Sequence, residues 1–266
     1  MTAVAAAPRR ATHAPAFRLS FAHLLKSEFV KILTLHSTWW SLGVTAALSI
    51  GISLLIAAAS RDFGGSFPAA NVIVSPTQFT MLVAGILGAI VITGEYSTGM
   101  IRSTLTAEPR RGAVLLAKAV VVALVMAATT VVIYAVAIAV TAPLLTSGFD
   151  WSDPAQSLVP LVLGVVSMAA FTLIGLGFGF LIRSGAGAIA ATVGVLFVLP
   201  IVFSLFSFGG PSWQWLVDGA KYLPVNAAAL LTAPGGDELA TGGITLAAWA
   251  LAPLVLGWVA LRARDA

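Results

Sequence analysis

The most distinctive polar segment of this sequence is 94–112, where acidic and basic residues interrupt a strongly apolar chain. If the segment is helical, residues three and four apart share a face. One such face consists of Glu95, Thr98, Gly99 and Arg102. Met100 and Ile101 then project from another face. A short helix with both charged and apolar side chains is suited to docking into the groove of a soluble partner. The alternative is an ordinary loop in which the acid and the base satisfy each other.

The familiar catalytic patterns are absent from the sequence. No Gly-Lys dipeptide occurs, which excludes the GxxxxGK[ST] phosphate loop and ATP hydrolysis by that route. No HExxH motif occurs, and no apolar stretch holds the paired acids of an intramembrane aspartyl protease. There is no cysteine, so disulfides and thiolate metal sites are excluded. We therefore expect no catalytic, cofactor-binding or metal-binding residue in this chain.

The three histidines, His13, His23 and His36, all precede the first long apolar run. A metal site there is conceivable, but solvated or interfacial side chains are the favoured interpretation. Their position also makes a Ser-His hydrolase inside a membrane improbable.

Formal charge is excluded from most of the chain. Six stretches of at least 23 residues contain no Asp, Glu, Lys or Arg: 32–60, 63–94, 119–149, 154–182, 184–217 and 239–261. A transmembrane helix needs about 20 mostly apolar residues, and an ionised side chain at the bilayer centre costs about 3 kcal/mol or more. The composition agrees, with 59% hydrophobic and 9% charged residues.

These stretches predict an all-α integral membrane protein with six transmembrane helices. The predicted spans are 39–59, 77–93, 113–140, 158–182, 188–206 and 242–261. Lys118, near the start of the third span, is expected to reach the lipid headgroups by snorkelling. Small residues recur at Gly43, Ala47 and Gly51 and would allow close helix contact, as would the GxxxG pair Gly175 and Gly179.

The basic residues predict the orientation. Counted alternately from the N-terminus, the odd charged segments hold 12 of the 14 Lys and Arg residues, and the even segments hold only Arg61 and Lys221. Short cytoplasmic loops accumulate Lys and Arg, so both termini are expected in the cytoplasm. A nucleic-acid partner is disfavoured, because the positive charge is spread over several loops instead of forming one patch.

The N-terminal region divides into two parts ahead of the six-helix transmembrane domain 37–266. Residues 1–16 are read as a disordered cytoplasmic tail. Residues 17–36 show helical periodicity and predict an amphipathic helix lying along the inner leaflet, with apolar residues on one face and charged residues mainly elsewhere. Its candidate interfacial residues are Phe21, Lys26, Glu28 and Lys31. The alternative is a solvated segment that connects the N-terminal tail to the first span.

The segment 207–241, between the last two spans, is long for a connection and contains the apolar run 225–231. A run of that length cannot cross the bilayer. It is expected to form either a half-helix that dips into the outer leaflet or a helix that lies on it.

Several short motifs resemble those of a known family. They are Glu95-Tyr96-x-x-Gly99-Met100-Ile101-Arg102 after the second span, Pro109-Arg110-Arg111 with Lys118, Ser27-Glu28-x-x-Lys31-Ile32-Leu33 before Ser37-Thr38-Trp39-Trp40, and Leu223-Pro224-x-Asn226-Ala227. Their order and placement resemble type-2 ABC transporter permeases, the exporter class, particularly those of actinobacteria. Met100 departs from the Thr that family members often have.

The resemblance implies a permease subunit of an ATP-driven exporter in a bacterial plasma membrane. Such permeases pair as homodimers or heterodimers, with helices one, two and five as candidate interface elements. They dock separate cytoplasmic ABC ATPase subunits, which carry the ATP and Mg²⁺. The motif match carries over one set of ATPase-coupling residues: Glu95, Tyr96, Thr98, Gly99 and Arg102.

Three other functions remain possible on the sequence alone. A secondary carrier or channel working alone would usually need an intramembrane charge, and no predicted midplane holds one. A membrane scaffold or sensor, such as an immunity protein, would need no transport machinery. A membrane enzyme is disfavoured by the absence of catalytic groups.

Overall fold

The structure, a computed structural model, describes residues 20–62, 67–145 and 148–263. The predicted tail 1–16 lies outside these residues. Helices account for most of the described chain, and those residues contain no strand. The helices are α1 Phe21–Thr34, α2 His36–Asp62, α3 Ala69–Val74, α4 Thr77–Ser97, α5 Met100–Ala107, α6 Arg111–Thr141, α7 Leu158–Ile182, α8 Gly185–Val193, α9 Leu199–Leu205, α10 Gln214–Gly219, α11 Pro224–Thr232 and α12 Leu239–Ala263.

Six helical segments among these residues are long and apolar enough to cross a membrane. They are His36–Arg61, Ala69–Ser97, Arg111–Thr141, Leu158–Ile182, Gly185–Gly209 and Leu239–Ala263. The prediction of an all-α membrane protein with six spanning helices is therefore confirmed. The side of the membrane on which the termini lie stays a prediction.

Helix α7 forms the centre of the bundle, packing against α4, α12 and α6. Its contact with α4 depends on glycine, because the two backbones approach too closely for a side chain. A Cβ atom at Gly175 would clash with the carbonyl oxygen of Gly85, and one at Gly88 would clash with the carbonyl oxygen of Thr172. The GxxxG pair of α7 therefore lies in a helix–helix contact within the chain.

The small-residue stripe of α2 behaves differently. A Cβ atom at Gly43 or Gly51 would meet no described atom within 4 Å, and Ala47 is exposed. This face of α2 is open in the single chain. The predicted close contact is thus not made by another described helix of the same molecule.

The fifth span is an interrupted helix. Between α8 and α9 the segment Gly194–Val198 forms a π-helical turn. Pro200, at the start of α9, has no N–H to donate to the preceding turn, and this loss accounts for the widened backbone. Helix α9 buries none of its residues, so this span is the loosest part of the bundle.

The segment between the last two spans folds back onto the bundle. Helix α11 packs against α12 and α7, and Ala227, Ala228 and Leu231 join the main hydrophobic core. The indole N–H of Trp249 on α12 donates to the carbonyl of Tyr222 at 2.7 Å, which fixes the entry to α11. Whether this segment dips into the outer leaflet or lies on it stays a prediction.

The close approach of α4 and α7 generates a first prediction. Gly175→Ala forces the two backbones apart, and overpacking of this kind costs about 1–3 kcal/mol. We expect a lower unfolding temperature in mild detergent, measured by the fraction that stays monodisperse after heating. The matched control is Gly94→Ala, which adds the same methyl group to α4 where a Cβ atom would meet no described atom within 4 Å. Equal stability of the two variants would contradict the packing described.

Candidate functional site

The polar segment after α4 is broken into two helices at Gly99. Helix α4 ends at Ser97, and Gly99 has a φ of 73°, in the left-handed region that favours glycine. Helix α5 then starts at Met100. Glu95 and Arg102 therefore lie on different helices, and the hypothesis of one continuous face is wrong. Glu95 is buried, whereas Arg102 is exposed.

Four charged side chains from three helices meet beside α5, and we name them the ion cluster: Glu28 and Lys31 of α1, Glu95 of α4 and Lys118 of α6. The Lys118 ammonium contacts the Oε2 atom of Glu28 and donates to the Oε1 atom of Glu95 at 2.8 Å. The Lys31 ammonium donates to Glu28 Oε1 at 2.8 Å and to Glu95 Oε1 at 3.1 Å.

The ion cluster also includes α5. The Lys31 ammonium donates to the hydroxyl of Thr104 at 3.2 Å. One side chain of α1 thus contacts α4 and α5 at once, through Glu95 and Thr104. Because Lys118 joins the same carboxylates from α6, four helices are linked by one set of ionic hydrogen bonds.

Burial makes these contacts mutually dependent. Lys118 is 1% exposed and Glu28 is 0% exposed. Removing one partner of a buried ion pair leaves an uncompensated charge and costs about 3–5 kcal/mol. The two carboxylates balance the two ammonium groups. The Oε2 atom of Glu95 has no hydrogen-bond partner among the described residues, so the pairing of this carboxylate relies on its other oxygen.

The sequence-based placement of Lys118 is wrong. The side chain was expected to reach the lipid headgroups, but it turns inward to two carboxylates. Glu28, predicted among the charged residues outside the apolar face of α1, is buried in the protein together with Ile32. Phe21 and Lys26 are exposed. Helix α1 therefore packs through a face that contains charge, which an amphipathicity pattern cannot show.

Lys31 remains partly accessible, with 23% of its side chain exposed. Burial by itself lowers the pKa of this amine, but the hydrogen bond and charge of Glu28, reinforced by Glu95, raise the pKa above its ordinary value. Lys31 is therefore charged at neutral pH, as its contacts with two carboxylates require.

Two arginines fix the end of α12 at the same end of the bundle. Arg111 donates to the carbonyl of Leu261 at 2.6 Å, and Arg183 donates to that of Ala260 at 3.1 Å. The last carbonyls of a helix lack intrahelical partners and attract cations. The Arg183 guanidinium also lies 5.3 Å from the ring centroid of Tyr96. Sequence analysis assigned no such role to either arginine.

The ion cluster and these arginines define one end of the bundle, which we call the basic end. Helices α1 and α5 lie side by side there and enclose a groove of about 380 Å³, the α1–α5 groove, lined by Ser20, His23, Leu24, Ser27, Lys31, Met100, Ser103, Thr104, Ala107 and Glu108. The inner face of α5 holds Ile101, which is 2% exposed. Its outer face is accessible and consists of Met100, Arg102, Ser103, Thr106 and Ala107.

The ion cluster connects the accessible helices α1 and α5 to the spanning helices α4 and α6. Thr98, Gly99 and Arg102 are accessible, Tyr96 is half-buried beside Arg183, and Glu95 joins the ion cluster. The coupling residues carried over from the resemblance are therefore divided between an accessible surface and a buried link. A force on α1 or α5 would reach α4 and α6 through ionic hydrogen bonds.

Comparison with known proteins identifies the family. The family model of the ABC-2 family transporter protein matches residues 13–266. The chain therefore belongs to the ABC-2 transporter family and is a multi-pass membrane permease of an ABC transporter, a transport component whose family implies partnership with an ABC ATPase subunit. The search of curated proteins gave no significant match.

The ion cluster generates a second prediction. Lys118→Met leaves two carboxylates close together without the cation that is 1% exposed, so we expect a stability loss of about 3–5 kcal/mol. Lys31→Met removes the same charge from a partly solvated position and should cost less, because water screens the remaining groups. Thermal unfolding of both variants in the same detergent measures the difference. Equal losses would show that burial does not govern these contacts.

Proposed function

We propose that this permease forms half of an export pathway in a bacterial plasma membrane, as the resemblance to actinobacterial exporters indicates. Two permease subunits form the pathway, and separate cytoplasmic ABC ATPase subunits bind ATP and Mg²⁺ and power it. Export is driven by conformational changes that the ATPase transmits to the membrane helices through the basic end.

The charge distribution supports a cytoplasmic basic end. Arg111 and Arg183 gather there at the end of α12, and the exposed Arg102 lies on α5. Arg61, at the far end of α2, belongs to the opposite side. Positively charged loops remain in the cytoplasm, which is also where an ATPase subunit has access to ATP.

The proposal rests on the hydrogen bonds that connect the accessible helix α5 to the spanning helices α4 and α6. Helix α5 presents Met100 and Arg102 outward. Through Thr104 and Lys31 it is bonded to Glu95 of α4, which is bonded to Lys118 of α6. A subunit that binds the outer face of α5 and the α1–α5 groove can therefore move two spanning helices together.

In this proposal the coupling residues have two roles. The accessible Thr98, Gly99 and Arg102 would contact the ATPase, and the left-handed Gly99 sets the angle between α4 and α5. Glu95 and Tyr96 are positioning residues, since one lies in the ion cluster and the other against Arg183.

Coupling through α5 gives a third prediction. Arg102→Glu reverses an exposed charge of α5, and we expect binding of the partner ABC ATPase to weaken about tenfold, or 1.4 kcal/mol. Detergent pull-down and coupled ATP hydrolysis are the measurements. The reversal of an exposed arginine leaves the ion cluster intact, which Glu95→Ala does not.

Arg61→Glu is the control for this experiment. It makes the same charge reversal near the end of α2 that lies away from the basic end. It should leave ATPase binding unchanged. Unaltered binding and hydrolysis with Arg102→Glu would remove α5 from the coupling surface. Transport by the permease alone in proteoliposomes under an ion gradient would instead support a secondary carrier.

The open face of α2 supports a dimer contact. Gly43 and Ala47 are exposed, and no described residue would touch a Cβ atom at Gly43 or Gly51. Small residues at this spacing let a helix of a second copy approach closely. The poorly buried α9 is a further interface element.

The dimer contact gives a fourth prediction. The chain has no cysteine, so Gly43→Cys introduces a single thiol. In membranes this variant should form a disulfide-linked dimer under oxidation, seen by non-reducing electrophoresis. Leu116→Cys, on an exposed position of α6 that is 54% accessible, is the control and should remain monomeric. Cross-linking of Leu116→Cys alone would place the interface elsewhere.

A further inference from the structure

A cavity of about 280 Å³ opens at the end of the bundle opposite the ion cluster. It lies between α3, the start of α4, α11 and Phe171 of α7. Thr77, which lines it, precedes Glu95 by 18 residues of α4, which places the cavity about 27 Å from the ion cluster at 1.5 Å per residue. The cavity therefore belongs to a different part of the molecule from the coupling surface.

Polar side chains form one wall of the cavity. Asn71, Ser75 and Gln78 recur at spacings of four and three, and Thr232 faces them from α11. The hydroxyls of Ser75 and Thr232 donate to backbone carbonyls of their own helices at 2.6 and 3.0 Å, which leaves their oxygens as acceptors. Within the described part of the chain, the side-chain amides of Asn71 and Gln78 make no hydrogen bond.

Apolar side chains form the floor. Val74, Met81, Phe171 and Ala228 are all at most 5% exposed and line the cavity. None of the described residues that line it carries a formal charge. A charged ligand would lose hydration there without gaining a counter-charge, whereas an uncharged hydrogen-bonding group would be satisfied.

We propose that this cavity is a binding site for an uncharged amphiphile. Hydroxyl or amide groups of the ligand bond to the free amides of Asn71 and Gln78, and a hydrocarbon portion lies on Met81 and Phe171. The volume is slightly below the range of about 300–1,000 Å³ found for drug-sized ligands. The site therefore takes a small molecule or one end of a larger one. This assignment does not depend on the proposed coupling to an ATPase.

Cysteine protection tests the site directly. Ala229 lines the cavity and is exposed, so Ala229→Cys provides one reactive thiol in a chain without cysteine. The protein is placed in lipid nanodiscs, and its rate of labelling by a maleimide is measured with increasing n-octyl β-glucoside. Because only the empty site reacts, the rate falls by the factor 1 + [L]/Kd, about fivefold at four times the Kd. Ala240→Cys, exposed on α12 and outside the cavity, should show no change.

Two further arms separate binding from partitioning into the bilayer. Octanoate has a similar chain with a charge, and methyl β-glucoside has the same head with almost no chain; neither should protect Ala229→Cys. Asn71→Leu and Gln78→Met remove the amides and keep the volume, so they should abolish protection by octyl glucoside. The proposal is overturned if octanoate or methyl glucoside protects equally, if protection extends to Ala240→Cys, or if it survives both substitutions.

Discussion

Hydrocarbon excludes formal charge. This constraint explains the six spans, and it explains why Lys118 and Glu95, which lie within two of the spanning segments, are paired with each other. Lys118 lies seven residues inside α6, with its ammonium out of contact with water. Such a charge persists only when it is paired and hydrogen-bonded. Its partners come from α1 and α4, so the position of one lysine requires the N-terminal helix to pack against the spanning bundle.

The same contacts explain how an accessible surface can act on buried helices. Helices α1 and α5 are short and would be marginal on their own in water. The ion cluster bonds them to α4 and α6, while Arg111 and Arg183 bond the neighbouring helices to the end of α12. Polar contacts thus connect the helices at the basic end. At the opposite end, the described residues that line the cavity carry no formal charge, and α9 buries none of its residues.

Much of the fold was predictable from sequence, because charge exclusion acts residue by residue. The sequence could not show that Glu28 pairs with Lys118, since 90 residues separate them and both resemble ordinary interfacial charges. It also could not show the break at Gly99, since the helical pattern continues across it. The packing of α11 likewise depends on α7 and α12. Local patterns located the polar segment 94–112, but tertiary pairing decided which of its side chains face inward.

A double-mutant cycle on Glu28 and Lys118 tests the central claim most directly. Glu28→Gln and Lys118→Met each leave an unbalanced charge, whereas the double variant keeps Lys31 paired with Glu95. If the ion cluster joins α1 to α6, the double variant should lose less stability than the two single variants together, with a coupling energy of about 1–3 kcal/mol. Denaturant unfolding in detergent measures it. Strictly additive losses would contradict the account, because they would show that the two side chains act independently.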